Sequence, residues 1–121
     1  MSETPRVPDA QLIAALDELD AALTRNIARS REIQKRIRRQ RTAIAGGSDF
    51  WPLVKAEEQP RTVEMLSENI ETLHGVGSRL RATQALALRD EGLSISDIAA
   101  LFGVTRQRVS ALLKQKSATR V

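Results

Sequence analysis

At 121 residues the chain is one ordinary domain or two very small ones, with room for only a modest core. It has no cysteine, one histidine (His74) and three aromatic residues (Phe50, Trp51 and Phe102), which excludes a disulfide framework and a thiolate metal site. The formal net charge of +4 is unevenly spread: nine basic against six acidic side chains in residues 1–45, two against six in 46–77, and eight against three in 78–121.

Residues 1–8, with Pro5 and Pro8, read as a flexible tail. Asp9 is placed to cap a helix that runs to about Ala45. Two series at heptad spacing describe that helix: Leu12, Leu19, Asn26, Ile33 and Gln40, and Leu16, Leu23, Ser30, Ile37 and Ile44. Together they form a seam suited to a partner helix, apolar at its ends and polar in the middle, with Ile27 beside it. At about 1.5 Å per residue the helix is roughly 50 Å long, too long for so small a chain to cover alone. Its acidic residues Asp17, Glu18 and Asp20 come early and its basic residues late. Lys35, Arg36, Arg38 and Arg39 are therefore either a solvated face matched to the helix dipole or a second phosphate contact.

Gly46-Gly47-Ser48 ends the helix. Phe50, Trp51, Leu53 and Val54 then make an apolar cluster in a connection, with Trp51 read as a packing plug. Pro60 suits the first turn of a new helix. Val63, Leu66, Ile70 and Leu73 give that helix one apolar stripe, able to fold back on the first. Gly75 and Gly77 weaken or end it near His74, and a further helix is expected from Ser78 to Glu91, stopped by Gly92.

The segment from Gly92 to Leu113 is the most specific in the chain. Ser94 and Asp97 have the spacing of a capping box. Ile98, Leu101 and Phe102 are expected to face inward, and Ala99 is small where two helices would cross. Gly103 supplies a left-handed turn, Val104 plugs the corner and Thr105 caps a second helix pinned by Val109, Leu112 and Leu113. This pattern resembles the bacterial helix-turn-helix. In that motif the second helix lies in the major groove and presents its first turns to base edges. Here its outer face carries Arg106, Gln107, Ser110, Ala111 and Lys114, with Arg108 on a flank. Arginine can grip guanine and glutamine adenine, each with two hydrogen bonds. Ser96, Thr105 and the first-turn amides suit phosphate, and Lys114 and Lys116 suit the DNA backbone.

From Arg79 onward the chain resembles the C-terminal DNA-binding region of sigma factors (region 4) and the helix-turn-helix of resolvases and many small repressors. Trp51-Pro52-Leu53-Val54, Gln59-Pro60, Gly77-Ser78-Arg79-Leu80-Arg81 and Gly103 to Leu113 also look like small sigma-like helix-turn-helix proteins of actinobacteria. A full sigma factor is not expected, since the aromatic-rich promoter-opening segment is missing. The resemblance implies a DNA-binding regulator or chromosome-associated protein.

The expected fold is all-α. A long N-terminal helix and a shorter one form a hairpin or coiled coil over 9–77. A three-helix helix-turn-helix domain follows over 78–117, and 118–121 form a tail. The expected partner is double-stranded DNA, read by a homodimer joined through residues 9–45. The alternatives are a nucleoid-associated protein using Arg25–Arg41 without sequence preference, and a helical adaptor docking on RNA polymerase or another protein. No apolar run is long enough to span a membrane and the first twenty residues lack the core of a signal peptide, so a cytoplasmic, nucleoid-associated location is expected. No phosphate-binding glycine loop or paired-carboxylate site is present, so neither an enzyme nor a cofactor is expected.

Overall fold

The computed structural model describes residues 6–118, with side chains up to Gln115. The Lys116 side chain, residues 1–5 and residues 119–121, which carry most of the two expected tails, lie outside the described part. The described chain is all-α, with five helices: α1 (Val7–Ala45), α2 (Phe50–Lys55), α3 (Thr62–Asp90), α4 (Ile95–Phe102) and α5 (Arg106–Ala118). No described helix is long and apolar enough to cross a membrane. Two compact units form. One joins the stretch up to Asp20 with the stretch from Gly75 onward, and the other is Ala21–His74.

Helix α1 begins at Val7, two residues before the expected cap, so Asp9 lies in its first turn. Pro8 fits there because first-turn amides have no intrahelical acceptor and its ring presets a helical φ. Arg6 bridges Asp9 and Asp90 at 3.1 Å each, tying the start of α1 to the end of α3 within the first unit, where Arg79 also pairs with Glu18. In the second unit Arg29 donates to Asn69 Oδ1 at 2.6 Å and to Glu68 at 3.2 Å. Asn26 donates to the Asn69 carbonyl, and Asn69 in turn donates to Ser30. Arg36 donates to the carbonyls of Glu58 and Pro60. In both units partner numbers fall on one strand of the pairing as they rise on the other, so α1 and α3 run antiparallel.

The inward face of α1 differs from the expected seam. The first heptad series is half-buried as expected, but the residues that alternate with it are Ala15 and Ala22, both buried. Leu16, Leu23, Ile37 and Ile44 of the second series stay exposed. Small alanines let the helix backbones approach closely, and the larger apolar chains one position further round are left on a flank.

Helix α3 is unbroken through Gly75 and Gly77, where a stop was expected. Each glycine costs a helix about 1 kcal/mol relative to alanine. Burial of Val76 between the two glycines, and of Ala82, Thr83 and Ala85 beyond them, offsets that cost. At the other end Pro60 precedes the helix rather than opening it. Glu57 serves the first turn instead: its carboxylate accepts from the Thr62 amide at 3.2 Å and from the Thr62 hydroxyl. These bonds, first that of the hydroxyl, with Arg36 and Arg61 nearby, hold the Glu57 carboxyl below the usual carboxylate range. The connection before it contains α2, an added short helix, and Trp51 is 68% exposed there rather than acting as a plug.

Candidate nucleic-acid interface

The last three helical stretches converge on one small core. Ala82 and Ala85 of α3, Ile98 and Ala99 of α4, and Val109 and Leu112 of α5 are buried together, with Leu88, Leu93, Ile95, Phe102 and Leu113 packed around them. Ile98 and Val109 have no exposed surface at all. On α4 the inward stripe is thus Ile95, Ile98, Ala99 and Phe102, spaced three, four and seven apart. Leu101, expected to face inward, is 66% exposed because it lies two residues from Ala99, on the other side of the helix. Val104 is also exposed rather than plugging the corner.

Each helix end in this unit is closed by local bonding. α3 stops where Gly92 donates to the Arg89 carbonyl and Leu93 to the Leu88 carbonyl, a paired closure that also brings Leu93 onto the core next to Leu88. α4 opens with the expected capping box: the Asp97 amide donates to Ser94 Oγ at 3.0 Å and the Ser94 amide to Asp97 Oδ2 at 3.1 Å. It ends in the same paired closure as α3, with Gly103 at φ 68° and ψ 35° and the Val104 amide bonded to the Ala99 carbonyl. A side chain at Gly103 would force an L-residue into the left-handed region, so the sharp turn between α4 and α5 depends on glycine. Thr105 then caps α5, its hydroxyl accepting from the Arg108 amide at 3.1 Å.

Hydrogen bonding from Ser94, its side chain first and its backbone second, holds the Asp97 carboxyl below the usual carboxylate range. A depressed carboxylate stabilises the fold above its unfolded pKa of about 3.9, and the contribution fades as pH falls through the lower folded value. Replacing Ser94 with alanine is expected to cost about 0.5–2 kcal/mol at neutral pH and to flatten the acid side of the stability profile below about pH 4. Thermal melts followed by circular dichroism across pH test this. A variant melting like the parent at pH 7 would show that the box contributes nothing.

Held this way, α5 turns Arg106, Gln107, Ser110, Ala111 and Lys114 to one side, where they line a single shallow concavity with Ile95. Five of the residues expected at the interface are thereby brought together. Ile95 was not among them, although its place in the α4 stripe was readable. Arg108, Thr105 and Ser96 are exposed outside that concavity, Arg108 and Thr105 at the first turn of α5 and Ser96 in the first turn of α4. Arg106 and Lys114, eight residues apart on α5, put positive charge at the two ends of this lining.

The second basic group is differently disposed. Arg36 is largely covered, paired with Glu32 at 3.1 Å and bonded to two backbone carbonyls, so its donors are spent on holding α1 to the connection before α3. Lys35 and Arg39 line a separate concavity in the second unit with Glu32, Glu57 and Glu58, and Arg38 is exposed. Among the described residues no cluster of histidine and carboxylate side chains could hold a metal ion.

Residues 77–118 match the homeodomain-like domain family. Comparison with curated proteins and with solved structures gives no match. The matched span covers the end of α3 with α4 and α5, so this part of the chain is a helix-turn-helix DNA-binding domain.

Proposed function

We propose that the chain is a sequence-specific transcriptional regulator that lays the segment Thr105 to Lys116, the cap and most of α5, in the major groove of double-stranded DNA. The observation that carries this reading is the composition of the outer face of α5. An arginine and a glutamine stand side by side in its first turn, at the edge of a helix-turn-helix whose core is otherwise closed. Arg106 and Gln107 read bases, and Arg108, Ser110 and Ala111 shape the fit around them. Thr105, Ser96 and Lys114 hold phosphate. Thr105 keeps its hydroxyl proton for a phosphate oxygen while its lone pair caps α5.

One helix-turn-helix buries little surface and binds weakly, so the reading includes a homodimer whose two copies address two half-sites. The protein acts in the cytoplasm on the chromosome, with no catalytic step.

Selection from random-sequence duplex pools at moderate salt tests this. Recovery of an inverted repeat is the expected result. Bound DNA with no shared sequence and a steep salt dependence would instead favour chromosome coating through Lys35, Arg38 and Arg39, which the exposure of these side chains permits. No retained DNA would move the search to RNA polymerase or another protein partner.

A further inference from the structure

The unit Ala21–His74 carries its apolar side chains on the wrong side for a self-sufficient fold. Its buried apolar residues are Ala22 and Met65, and its remaining buried residue is Asn69. Meanwhile Leu23, Ile27, Ile37, Val63, Leu66 and Ile70 are all exposed, Ile70 by 61% and Val63 by 73%. A unit of two long helical stretches and the short α2 with so little covered apolar surface needs a staple; the chain has no cysteine, and the described residues hold no metal cluster, to provide one.

Most of these exposed residues share one side. Asn26 on α1 and Asn69 on α3 mark the line along which the two helices face each other. Arg29 and Glu68 pair on one flank of that line. At about 100° per residue, Leu23 and Ile27 of α1 fall on the opposite flank, and so do Val63, Leu66 and Ile70 of α3. Because the helices are antiparallel, these two flanks form one continuous apolar face.

We infer that this face is covered by the same face of a second copy, giving an antiparallel four-helix bundle in which α1 of one chain packs on α3 of the other. Charge selects that pairing. Apart from Arg29, Arg36 and Glu68, which are bonded within the chain, residues 25–41 of α1 carry six basic side chains and one acidic, whereas residues 62–73 of α3 carry two acidic and none basic. Pairing α1 with the partner's α3 sets opposite charges along the rims, and pairing α1 with α1 would set arginine against arginine. A two-fold axis parallel to the helices satisfies both requirements and makes every neighbour antiparallel. It also keeps residues at the height they have within one chain, so Ile27 of one copy meets Ile70 of the other.

This specifies the dimer in the regulatory reading and extends it from α1 to both helices. Its failure would show in the mass, whereas failure of DNA reading would show in α5 variants. Light scattering on the full chain is expected to give twice 13.4 kDa. Ile27→Asp combined with Ile70→Asp is expected to halve that mass. A cross-linking arm does not depend on how well that variant folds. Chains bearing Ile27→Cys are mixed with chains bearing Ile70→Cys and oxidised, and the mixed disulfide dimer is expected as the main product. A mass of 13.4 kDa for the unsubstituted protein at tens of micromolar would overturn the inference. So would predominant linkage of Ile27→Cys chains to one another.

Discussion

Replacing Ile98 with alanine is expected to destabilise the helix-turn-helix by about 2–5 kcal/mol, while replacing Leu101 with alanine changes stability by less than about 0.5 kcal/mol. Both are large apolar residues of α4, three apart, and by sequence spacing both belong to one inward face. In the fold they part completely. Ile98 has no exposed surface and is held between Ala82 and Ala85 of α3 and Val109 and Leu112 of α5, whereas Leu101 is 66% exposed. The alanines and Val109 beside Ile98 cannot move into the space that its shortening leaves, while Leu112 and the surrounding leucines can fill part of it, so the cost falls within this range and not beyond it. A loss of this size is a large share of the 5–15 kcal/mol typical of a whole domain. Denaturant titrations of the two variants check the contrast. Equal midpoints would mean that α4 does not pack through the stripe Ile95, Ile98, Ala99 and Phe102.

What could be read from sequence divides along a physical line. Residues 92–113 were legible because their positions are constrained one by one: a capping pair three apart, a small residue at a crossing, a glycine at a left-handed turn. Few residue types satisfy each demand, and the bonds of Ser94, Asp97, Gly103 and Thr105 meet them. Where only apolar periodicity was available, the reading slipped. Leu101 satisfied the three-residue step from Ile98, but a helix face is set by the whole stripe, and Ile95 and Phe102 define it. On α1 the leucines and isoleucines mark two conspicuous series, of which only the first is on the inward face; the second place there is taken by Ala15 and Ala22, which carry almost no hydropathy contrast. Gly75 and Gly77 have a real propensity cost, yet the burial that offsets it comes from residues distant in sequence. Trp51 looked like core by residue type alone, and no local signal says that an aromatic side chain is left outside.

The second series on α1 leaves apolar side chains outside the chain's own core, and the inferred dimer would cover part of them. The polar centre at Asn26, Ser30 and Asn69 serves a second purpose. Its bonds fix how far α1 can slide along α3, and so set the register in which the apolar flank is presented.

At the DNA surface, Arg106→Ala and Gln107→Ala are each expected to weaken binding to the selected operator by about 1–3 kcal/mol and to relax base preference at their own positions. Lys114→Ala should behave differently. It sits two turns further along α5, at the far end of the concavity, and in the proposed complex it would meet phosphate and not base edges. Its loss should weaken all sequences alike and reduce the slope of log affinity against log salt by about 1. The two kinds of change are separable in one set of titrations on the operator and a scrambled duplex at several salt concentrations. If Arg106 and Gln107 variants lose affinity equally on both duplexes, α5 holds DNA without reading it. If neither variant changes binding, the contact lies elsewhere, and the exposed basic residues of α1 become the surface to test. Base reading is expected because an arginine and a glutamine stand in the first turn of a capped helix, the part of a recognition helix that meets base edges. A lysine at the same two positions would supply the charge but not the planar pair of hydrogen bonds on which discrimination depends.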